Sequence, residues 1–576
     1  MRTPFLFRTI LPMFFFFIQV CFSPDQSMAR APDPLVFPPG EIQAVLSASE
    51  VNQELINQGR ATNTTRPFTS GTTVYEIRTT RDLVMVRTYL RDPSRLKDGA
   101  VGGWLMSPAS LRGISPAQVK DIFALPALND YLTTVKVPAG TILRIGSAGP
   151  IVGWGDGGGQ QILLVSRLSL ENYQRQRTLV DQNLLFSPLA QGGNPGAVAA
   201  YIDRLPAAEP FSDWSLANLL LGYLTTETLP QALTRISPER YDTLTQLDIQ
   251  NTILFTNVLM EHRRNRVRTS SSKGKEAVNS PLATHSPGSK SPSSFEMNQK
   301  GLSFWGVGIG SFGRQDSSRD HVGFQYQTGS FLTGADYWVK KNFLLGGGIS
   351  LSRTGFSWNE SLGDGNISRV NLIFYGSVPA DPIFVEGALT GGFRKADVSR
   401  RISFPGVDGL AASSPNAYNL AISLNGGLNK KMVGWDLQPM ARMYLIYVAQ
   451  EALSERGADS LNLRVDRYNT WTWRGELGVR LARIISLPSG LRVIPELWLG
   501  GGYQAPLDNR GLKASLSGQP ESFTVNGYSN SSCSFLPKLG ITVKGWGRTS
   551  LFLRYEGDLR SDFIDHIINA GIQVPF

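Results

Sequence analysis

Between Tyr468 and Ile484, Trp471, Trp473, Leu477, Val479 and Leu481 alternate with Thr472, Arg474, Glu476 and Arg480. A period of two is that of a strand with one apolar and one charged face. The same alternation runs through Gly434 to Val448, where Trp435, Leu437, Ala441, Met443 and Leu445 face away from Asp436, Gln438 and Arg442. It recurs in Ser550 to Leu559, where Leu551, Leu553 and Tyr555 oppose Arg554 and Glu556. From Leu302 onward about a dozen such segments follow one another, near 302–314, 321–339, 343–357, 366–377, 382–398, 416–429, 434–448, 469–484, 491–504, 534–546, 549–559 and 565–576, separated by Gly-rich or polar turns. Each has about the length that a tilted strand needs to cross the hydrocarbon layer of a bilayer. No helical segment intervenes to cover the apolar faces. A soluble sandwich would hide them against a second sheet and would use shorter strands. A closed antiparallel barrel with lipid outside and water inside leaves no backbone edge unpaired. The expected fold is therefore a mainly β membrane protein with a C-terminal twelve-stranded transmembrane barrel over residues 301–576. Trp305, Tyr337, Trp338, Trp435, Tyr447, Trp471 and Trp498, near strand ends, are expected to form interfacial girdles.

The rest of the chain divides by composition. Residues 1–29 read as a signal peptide: Arg2 and Arg8 precede an apolar run from Ile10 to Phe22, and Ser27-Met28-Ala29 offers a cleavage site. Cys21 follows Val20, which is too bulky for the usual lipid-anchor motif, and the other cysteine, Cys533, is far away. These two cysteines make neither a disulfide framework nor a metal site. No later stretch offers the roughly 20 apolar residues of a spanning helix. Residues 30–190 read as a small mixed α+β domain and 195–268 as a helical junction, with Ser237, Pro238 and Glu239 suited to a helix start and Leu244, Leu247, Leu254 and Val258 near helical spacing. Residues 269–300 are rich in Ser, Pro and Lys and almost free of apolar side chains, the composition of a linker. The net charge is +10, and Glu261 to Arg268 forms a basic run. Without interleaved aromatic side chains for base stacking, this run reads as a solvated helix end, and no nucleic-acid partner is expected.

Signal peptide, small N-terminal domain, leucine-rich junction ("AYIDRL", "LANLLLGYL", "LTRISPERYDTLTQLDIQ") and C-terminal barrel together resemble a classical autotransporter of a Gram-negative envelope. The resemblance covers about residues 195–576. It implies an outer-membrane barrel whose pore is threaded by the segment before its first strand, here residues 269–300 or the end of the preceding helix. It also implies that the N-terminal domain is a passenger exported or displayed at the cell surface for contact with a host or surface ligand. The implied partners are outer-membrane lipid, periplasmic chaperones and the barrel assembly machinery.

The passenger contains no histidine, since His262, His285, His321 and His566 all lie elsewhere. That excludes His-based triads and ordinary zinc hydrolase sites from it. In order, "VRTYL" (Val86 to Leu90), "GGWLMSP" (Gly102 to Pro108) and "PIVGWGDGGGQQILLV" (Pro150 to Val165) resemble the NAD glycohydrolase toxins of the tuberculosis necrotizing toxin family. The resemblance implies NAD as substrate with no bound cofactor, Gln161 as catalytic residue, Arg87 on a phosphate and Trp104 beside the ring. The backbone at Gly157, Gly158 and Gly159 would lie close to the ligand, and Arg144 would offer a second phosphate contact. The chain departs from that family near "DYLTTVKV", where the family has a histidine.

At the C-terminus, Ile568, Ala570, Ile572, Val574 and Phe576 share one face of the last strand. A terminal aromatic after alternating apolar residues resembles the signal read by barrel assembly machinery. Phe576→Asp is expected to lower the amount of folded, heat-modifiable barrel in the outer membrane while signal cleavage proceeds. Unchanged barrel levels in fractionated membranes would contradict this assignment.

Overall fold

The computed structural model describes residues 34–90, 99–178, 186–206, 213–222, 224, 227–272, 302–340, 343–528, 532–546 and 549–575. The signal peptide, residues 273–300 of the linker and Phe576 lie outside the described residues.

Among the described residues the N-terminal domain holds two sheets. Strands β1 (Gly40–Ser47), β2 (Thr73–Thr79), β3 (Leu83–Tyr89), β4 (Trp104–Leu105), β5 (Tyr131–Val137), β6 (Ile142–Ser147), β7 (Gln160–Leu164) and β8 (Tyr173–Thr178) pair in the orders β1-β2-β6-β7-β4 and β3-β5-β8. Ile77, Leu143, Ile145, Ile162 and Leu164 from the first sheet meet Leu83, Met85, Val135 and Val137 from the second in one buried cluster. Helix α1 (Ala48–Asn57) packs on the opposite face of the larger sheet, through Ala48, Val51 and Leu55 against Phe68, Val74 and Leu163. Ser47 starts this helix with a capping box: its Oγ accepts from Glu50 N (3.1 Å), and the Glu50 carboxylate accepts from Ser47 N (3.0 Å). Helix α2 (Pro116–Ile122) follows in the same domain.

The junction is helical, as its leucine spacing indicates: α3 (Gly193–Arg204), α4 (Asp213–Leu221), α5 (Thr228–Ile236) and α6 (Asp242–Ser272). Ser237 caps the short turn Pro238–Tyr241 that leads into α6, with its Oγ accepting from Glu239 N.

Among the described residues twelve strands close into a barrel: β9 (Leu302–Gln315), β10 (Phe324–Lys340), β11 (Phe343–Trp358), β12 (Gly363–Ala380), β13 (Ile383–Phe404), β15 (Asn416–Leu428), β17 (Trp435–Gln450), β20 (Tyr468–Ala482), β22 (Arg492–Pro506), β25 (Ser532–Trp546), β26 (Thr549–Leu559) and β27 (Phe563–Pro575). β14 (Val407–Ser413) extends the hairpin of β13, while β16 (Lys430–Met432) and β21 (Ile485–Ser486) sit in turns. β18 (Leu453–Ser454), β19 (Leu463–Val465), β23 (Gly511–Leu516) and β24 (Phe523–Asn526) make a separate four-stranded sheet. All barrel pairings are antiparallel, and β27 pairs with β9 from Phe563↔Gln315 to Pro575↔Ser303, which removes both edges. No described helix is long and apolar enough to cross a membrane. At one end three pairs of successive strands are only two residues apart (Lys340 to Phe343, Ala380 to Ile383, Trp546 to Thr549). At the other end lie the longest separations, from Gln450 to Tyr468 and from Pro506 to Ser532, which carry the four-stranded sheet. In outer-membrane barrels the short turns are periplasmic and the long loops external.

The alternation read from sequence gives the two faces. Leu477, Val479, Leu551, Leu553, Ile568 and Ile572 point out to lipid, while Arg474, Glu476, Arg480, Arg554 and Glu556 are buried in the lumen. The girdle expectation needs correction for three residues. Tyr337, Trp435 and Trp471 face outward, and Tyr447 lies half-buried against Trp471 (4.8 Å). Trp305, Trp338 and Trp498 point inward and are buried. Trp305 and Trp498 each share strand parity with inward neighbours, Val307 and Glu496, and each has an interior partner. Trp305 donates from Nε1 to Tyr375 OH (3.0 Å), and Trp498 lies under Arg442 and Lys538.

The inward face is apolar on some strands because α6 fills the lumen. Leu254, Phe255, Val258 and Leu259 pack on Trp305, Val307, Leu332, Ile373, Phe552 and Ile567, while Ile249 and Ile253 pack on Ala421, Tyr444, Ile446 and Val448. Among the described residues the lumen is filled by helix α6, which begins at Asp242; of the two expected threading elements, this is the helix that precedes the linker, and residues 273–300 lie outside the described residues. A helix meets the lumen with its own backbone hydrogen bonds made, which an extended segment would not. Glycines give the rings room. A Cβ on Gly334 would lie 2.6 Å, and one on Gly348 3.1 Å, from the Trp305 ring, and a Cβ on Gly346 would strike the Tyr375 ring.

One ionic contact fixes the helix. Asp248 accepts from Arg369 Nε (2.7 Å) on β12 and Arg394 Nε (2.9 Å) on β13, with all three side chains under 5% exposed. Removing the carboxylate leaves two buried guanidinium groups without their counter-charge, which costs about 3–5 kcal/mol. Asp248→Ala is expected to loosen the plug and raise ion conductance of the full chain in planar bilayers. Conductance equal to the parent chain would contradict this role.

Candidate functional site

The external mouth is where the N-terminal domain, the junction and the barrel meet. Arg400 on β13 and Glu455 form a two-pronged pair (Nε–Oε1 2.6 Å, Nη2–Oε2 2.5 Å) with both side chains fully buried. A fork-to-carboxylate pair of this kind is directional as well as ionic. Its remaining groups hold the junction: Arg400 Nη1 donates to Arg235 O (2.7 Å) at the end of α5, and Tyr241 OH donates to Glu455 (2.6 Å). Arg240 donates to Leu362 O (2.8 Å) in a loop, and Trp358 donates to Thr243 (3.0 Å) at the start of α6. Asp242 accepts from Tyr528 N (2.7 Å).

Helix α3 is joined to the long loops by side chain–backbone exchange. Asn194 accepts from Asn526 N (2.9 Å) and donates to Asn526 O (2.8 Å) and Asp320 O (2.9 Å). Tyr201 stacks on Phe523 at 4.5 Å and accepts from Leu516 N (3.1 Å). Around these bonds one large apolar cluster takes side chains from α3, α4, α5, the loops and the four-stranded sheet. Helix α4 then links to the N-terminal domain: Leu219 is buried with Val86, Met106, Leu111 and Leu132, and Asn218 accepts from Arg112 Nε (3.1 Å). The arrangement can seal a pore at its outer end and hold a domain above it.

Further down the lumen, Asn257 of α6 accepts from Tyr444 OH (2.5 Å) and Arg442 Nη1 (2.9 Å), and Thr252 accepts from Asn419 (3.0 Å). The wall of β20, β22, β25 and β26 neutralises itself. Arg474 pairs with Glu476 (2.8 Å) and Asp558 (2.9 Å), Glu496 lies between Arg480 and Arg554, and Lys538 pairs with Glu556 (2.6 Å). Asp248, Arg369, Arg394, Arg400 and Glu455 were missed as functional residues in the sequence. The available signal was an acid in a leucine-rich helix that precedes strands with inward-parity arginines.

The residues expected around a nucleotide lie in the N-terminal domain as follows. Trp104, Arg144 and Gln161 share one face of the larger sheet, since Trp104 and Arg144 both pair with Leu163, two residues from Gln161. That face is the one covered by α1 and Phe68. Gln161 donates from Nε2 to Pro67 O and is 9% exposed, and the Trp104 ring lies 5.8 Å from Phe68. Arg144 pairs with Glu54 (2.8 Å) and Glu76 (3.0 Å). Arg87 belongs to the other sheet, and its guanidinium holds a loop, donating to Gly99 O (3.0 Å) and Trp104 O (3.2 Å). Burial lowers the pKa of this guanidinium, an effect that nearby Tyr173 opposes. The amides of Gly157, Gly158 and Gly159 donate to Asp121 O (3.0 Å), Ala148 O (2.9 Å) and Ile122 O (3.0 Å). Gly157 and Gly158 have φ of 72° and 92°, and Cβ atoms at Gly157 and Gly159 would strike neighbouring atoms, so the turn is built for close packing. The structure thus brings three of the expected residues to one sheet face, gives each a protein partner, and places Arg87 apart from Gln161.

Residues 304–556 match the family described as the autotransporter beta-domain. The extracellular serine protease of Serratia marcescens is 22% identical over 272 residues, covering 47% of this chain and 26% of that protein, so the chain spans about a quarter of that relative's length. The translocator domain of the autotransporter NalP from Neisseria meningitidis is similar at 16% identity, covering 56% of this chain and 98% of that one with a TM-score of 0.39. The beta domain of the Bordetella autotransporter Brka is similar at 17% identity, covering 48% and 100% with a TM-score of 0.38. The family match thus lies on the closed twelve-stranded barrel, and the C-terminal part of the chain is similar to an autotransporter beta-domain of the outer membrane.

Proposed function

We propose that the barrel exports the domain of residues 34–178 and keeps it at the external surface, in one chain with its anchor, for contact with a host or surface ligand. The observation that carries this reading is the path of the chain. From the N-terminal domain it runs through α3–α5, packed among the long loops, and enters the lumen at Asp242. The domain therefore lies on the external side. Asp248 between two arginines and the Arg400–Glu455 pair support retention, because both bind the junction to the barrel with buried charge. Assembly of such a barrel depends in general on outer-membrane insertion machinery. Periplasmic chaperones would guard the unpaired apolar strands before closure.

An interaction domain fits the N-terminal region better than a hydrolase. Arg87, Gln161, Arg144 and the glycine turn each have internal partners, as described above. The exposed surface offers instead an edge strand, β1, with Ile42 52% and Val45 64% exposed. An unpaired strand edge with exposed apolar side chains is suited to strand addition by a peptide partner.

Protease added to intact cells is expected to digest residues 34–178 and leave the barrel strands protected. Protection of the N-terminal domain until the outer membrane is permeabilised would refute surface display.

NAD and ADP-ribose, titrated to millimolar concentration against the purified full chain, are expected to show no binding and no nicotinamide release. Gln161→Ala is expected to lower thermal stability of the N-terminal domain by about 1–3 kcal/mol, because Pro67 O loses its buried donor. Nicotinamide release that Gln161→Ala abolishes would overturn this reading in favour of the hydrolase.

A further inference from the structure

The lipid-facing wall is not uniform toward its external end. Over β15 to β22 it carries aromatic side chains: Tyr418, Trp471 and Tyr503 are 41–51% exposed, and Trp473 lies 6.2 Å from Tyr503. Over β9 to β13 this girdle is interrupted by one cross-strand row, Gly310–Gly329–Arg353–Ser368–Lys395, whose members are directly paired neighbours. The outward positions one step nearer the short turns are apolar: Phe331, Leu351, Val370 and Phe393 are 40–53% exposed. Arg353 and Lys395 are thus the first cations above the apolar band on these strands, and both side chains are exposed on the lipid side. They stand two strands apart, about 10 Å, with the Ser368 hydroxyl between them.

The glycines leave relief in the wall. Two shallow depressions of about 560 and 650 Å³ meet at Gly329 and Arg353, the first floored by Phe331, Leu351 and Phe393 and the second bordered by Gln327 and Asn366. Among the described residues neither Arg353 nor Lys395 makes an ion pair. The nearest outward acid is Asp397, two residues beyond Lys395, which accepts from Ser414 Oγ (2.8 Å). A cation on a lipid-facing wall is stable when it reaches the headgroup layer, and it attracts anionic headgroups there.

We propose that this patch is a binding site for a phosphorylated glycolipid of the outer leaflet, of the bis-phosphorylated disaccharide type. Its acyl chains lie along Phe331, Leu351, Val370 and Phe393. Its two phosphates take Arg353 and Lys395, and its sugar rings cover the glycine depressions beside Gln327, Asn366 and Ser368. A glycerophospholipid with one phosphate can satisfy only one of the two cations at this spacing, and it has no ring to fill the relief. The site uses the orientation of the barrel and is independent of what the N-terminal domain binds.

The test titrates the purified full chain in mild detergent with bis-phosphorylated lipid A, its singly phosphorylated form and phosphatidylglycerol, and reads bound lipid by native mass spectrometry. The bis-phosphorylated lipid is expected to bind at least tenfold more tightly than the other two. Arg353→Ala with Lys395→Ala is expected to remove that preference in a chain that remains heat-modifiable. The charge-keeping pair Arg353→Lys with Lys395→Arg is expected to retain it, as is Lys430→Ala with Lys431→Ala at the short-turn end. Equal binding of phosphatidylglycerol by the parent chain, which needs no variant, would overturn the proposal. So would an undiminished preference in the double alanine variant.

Discussion

The pairing of the last strand with the first is the contact on which everything else rests. In hydrocarbon a strand edge has no water to satisfy its N–H and C=O groups, and each group left open costs several kcal/mol. The ladder between β27 and β9 removes that cost for the whole wall at once. It also makes the lumen a defined space, because only a closed wall can bury Arg474, Glu476 and Glu556 on one side while Leu477, Leu551 and Leu553 meet lipid on the other. Since the seam joins the first strand of the wall to the last, the wall cannot close until all twelve strands are available.

Closure creates a second problem, which the plug helix answers. A lumen lined with arginines and carboxylates must either hold water or be neutralised. Here it is neutralised in two ways. Along β20, β22, β25 and β26 the charges satisfy one another. Along β12 and β13 the arginines are left for Asp248 of the helix. Helix and barrel each arrive with their backbone hydrogen bonds complete, so what passes between them is a matter of side chains alone. That separation lets the same wall hold the helix tightly at Asp248 and by apolar contact at Leu254 and Val258.

The barrel was legible in the sequence because its signal has period two and repeats in every strand. All twelve expected segments became strands, and their boundaries moved by a few residues. The helical character of the junction was legible from leucine spacing and from Ser237-Pro238. The helix before the linker was one of the two threading elements expected; what was not legible was which of its residues would meet the wall, because α6 carries both apolar and polar residues and its partners lie more than a hundred residues away. The misplaced tryptophans have the same origin. On β9 both faces are apolar, Phe304 and Phe312 outside and Trp305, Val307 and Ile309 inside, so hydrophobicity cannot tell lipid from plug. Trp498 was legible in principle, since it shares parity with Glu496 and not with Leu499. In the N-terminal domain the sequence showed the residue types of a nucleotide site, but not that α1 covers their sheet face or that the glycine amides are taken by Asp121, Ala148 and Ile122.

The glycines opposite Trp305 and Tyr375 have a further consequence. In a barrel of fixed strand number the backbone cylinder has one width, yet the space left for a plug depends on how far side chains stand from the wall. At Gly334, Gly346 and Gly348 the wall gives up its own Cβ atoms, and two large rings recede into that thickness. The bore is therefore set in units of missing methyl groups and not of strands. Two barrels with identical pairing could pass or hold cargoes of different girth merely by shifting where their glycines fall, a form of calibration that leaves the hydrogen-bonded frame untouched.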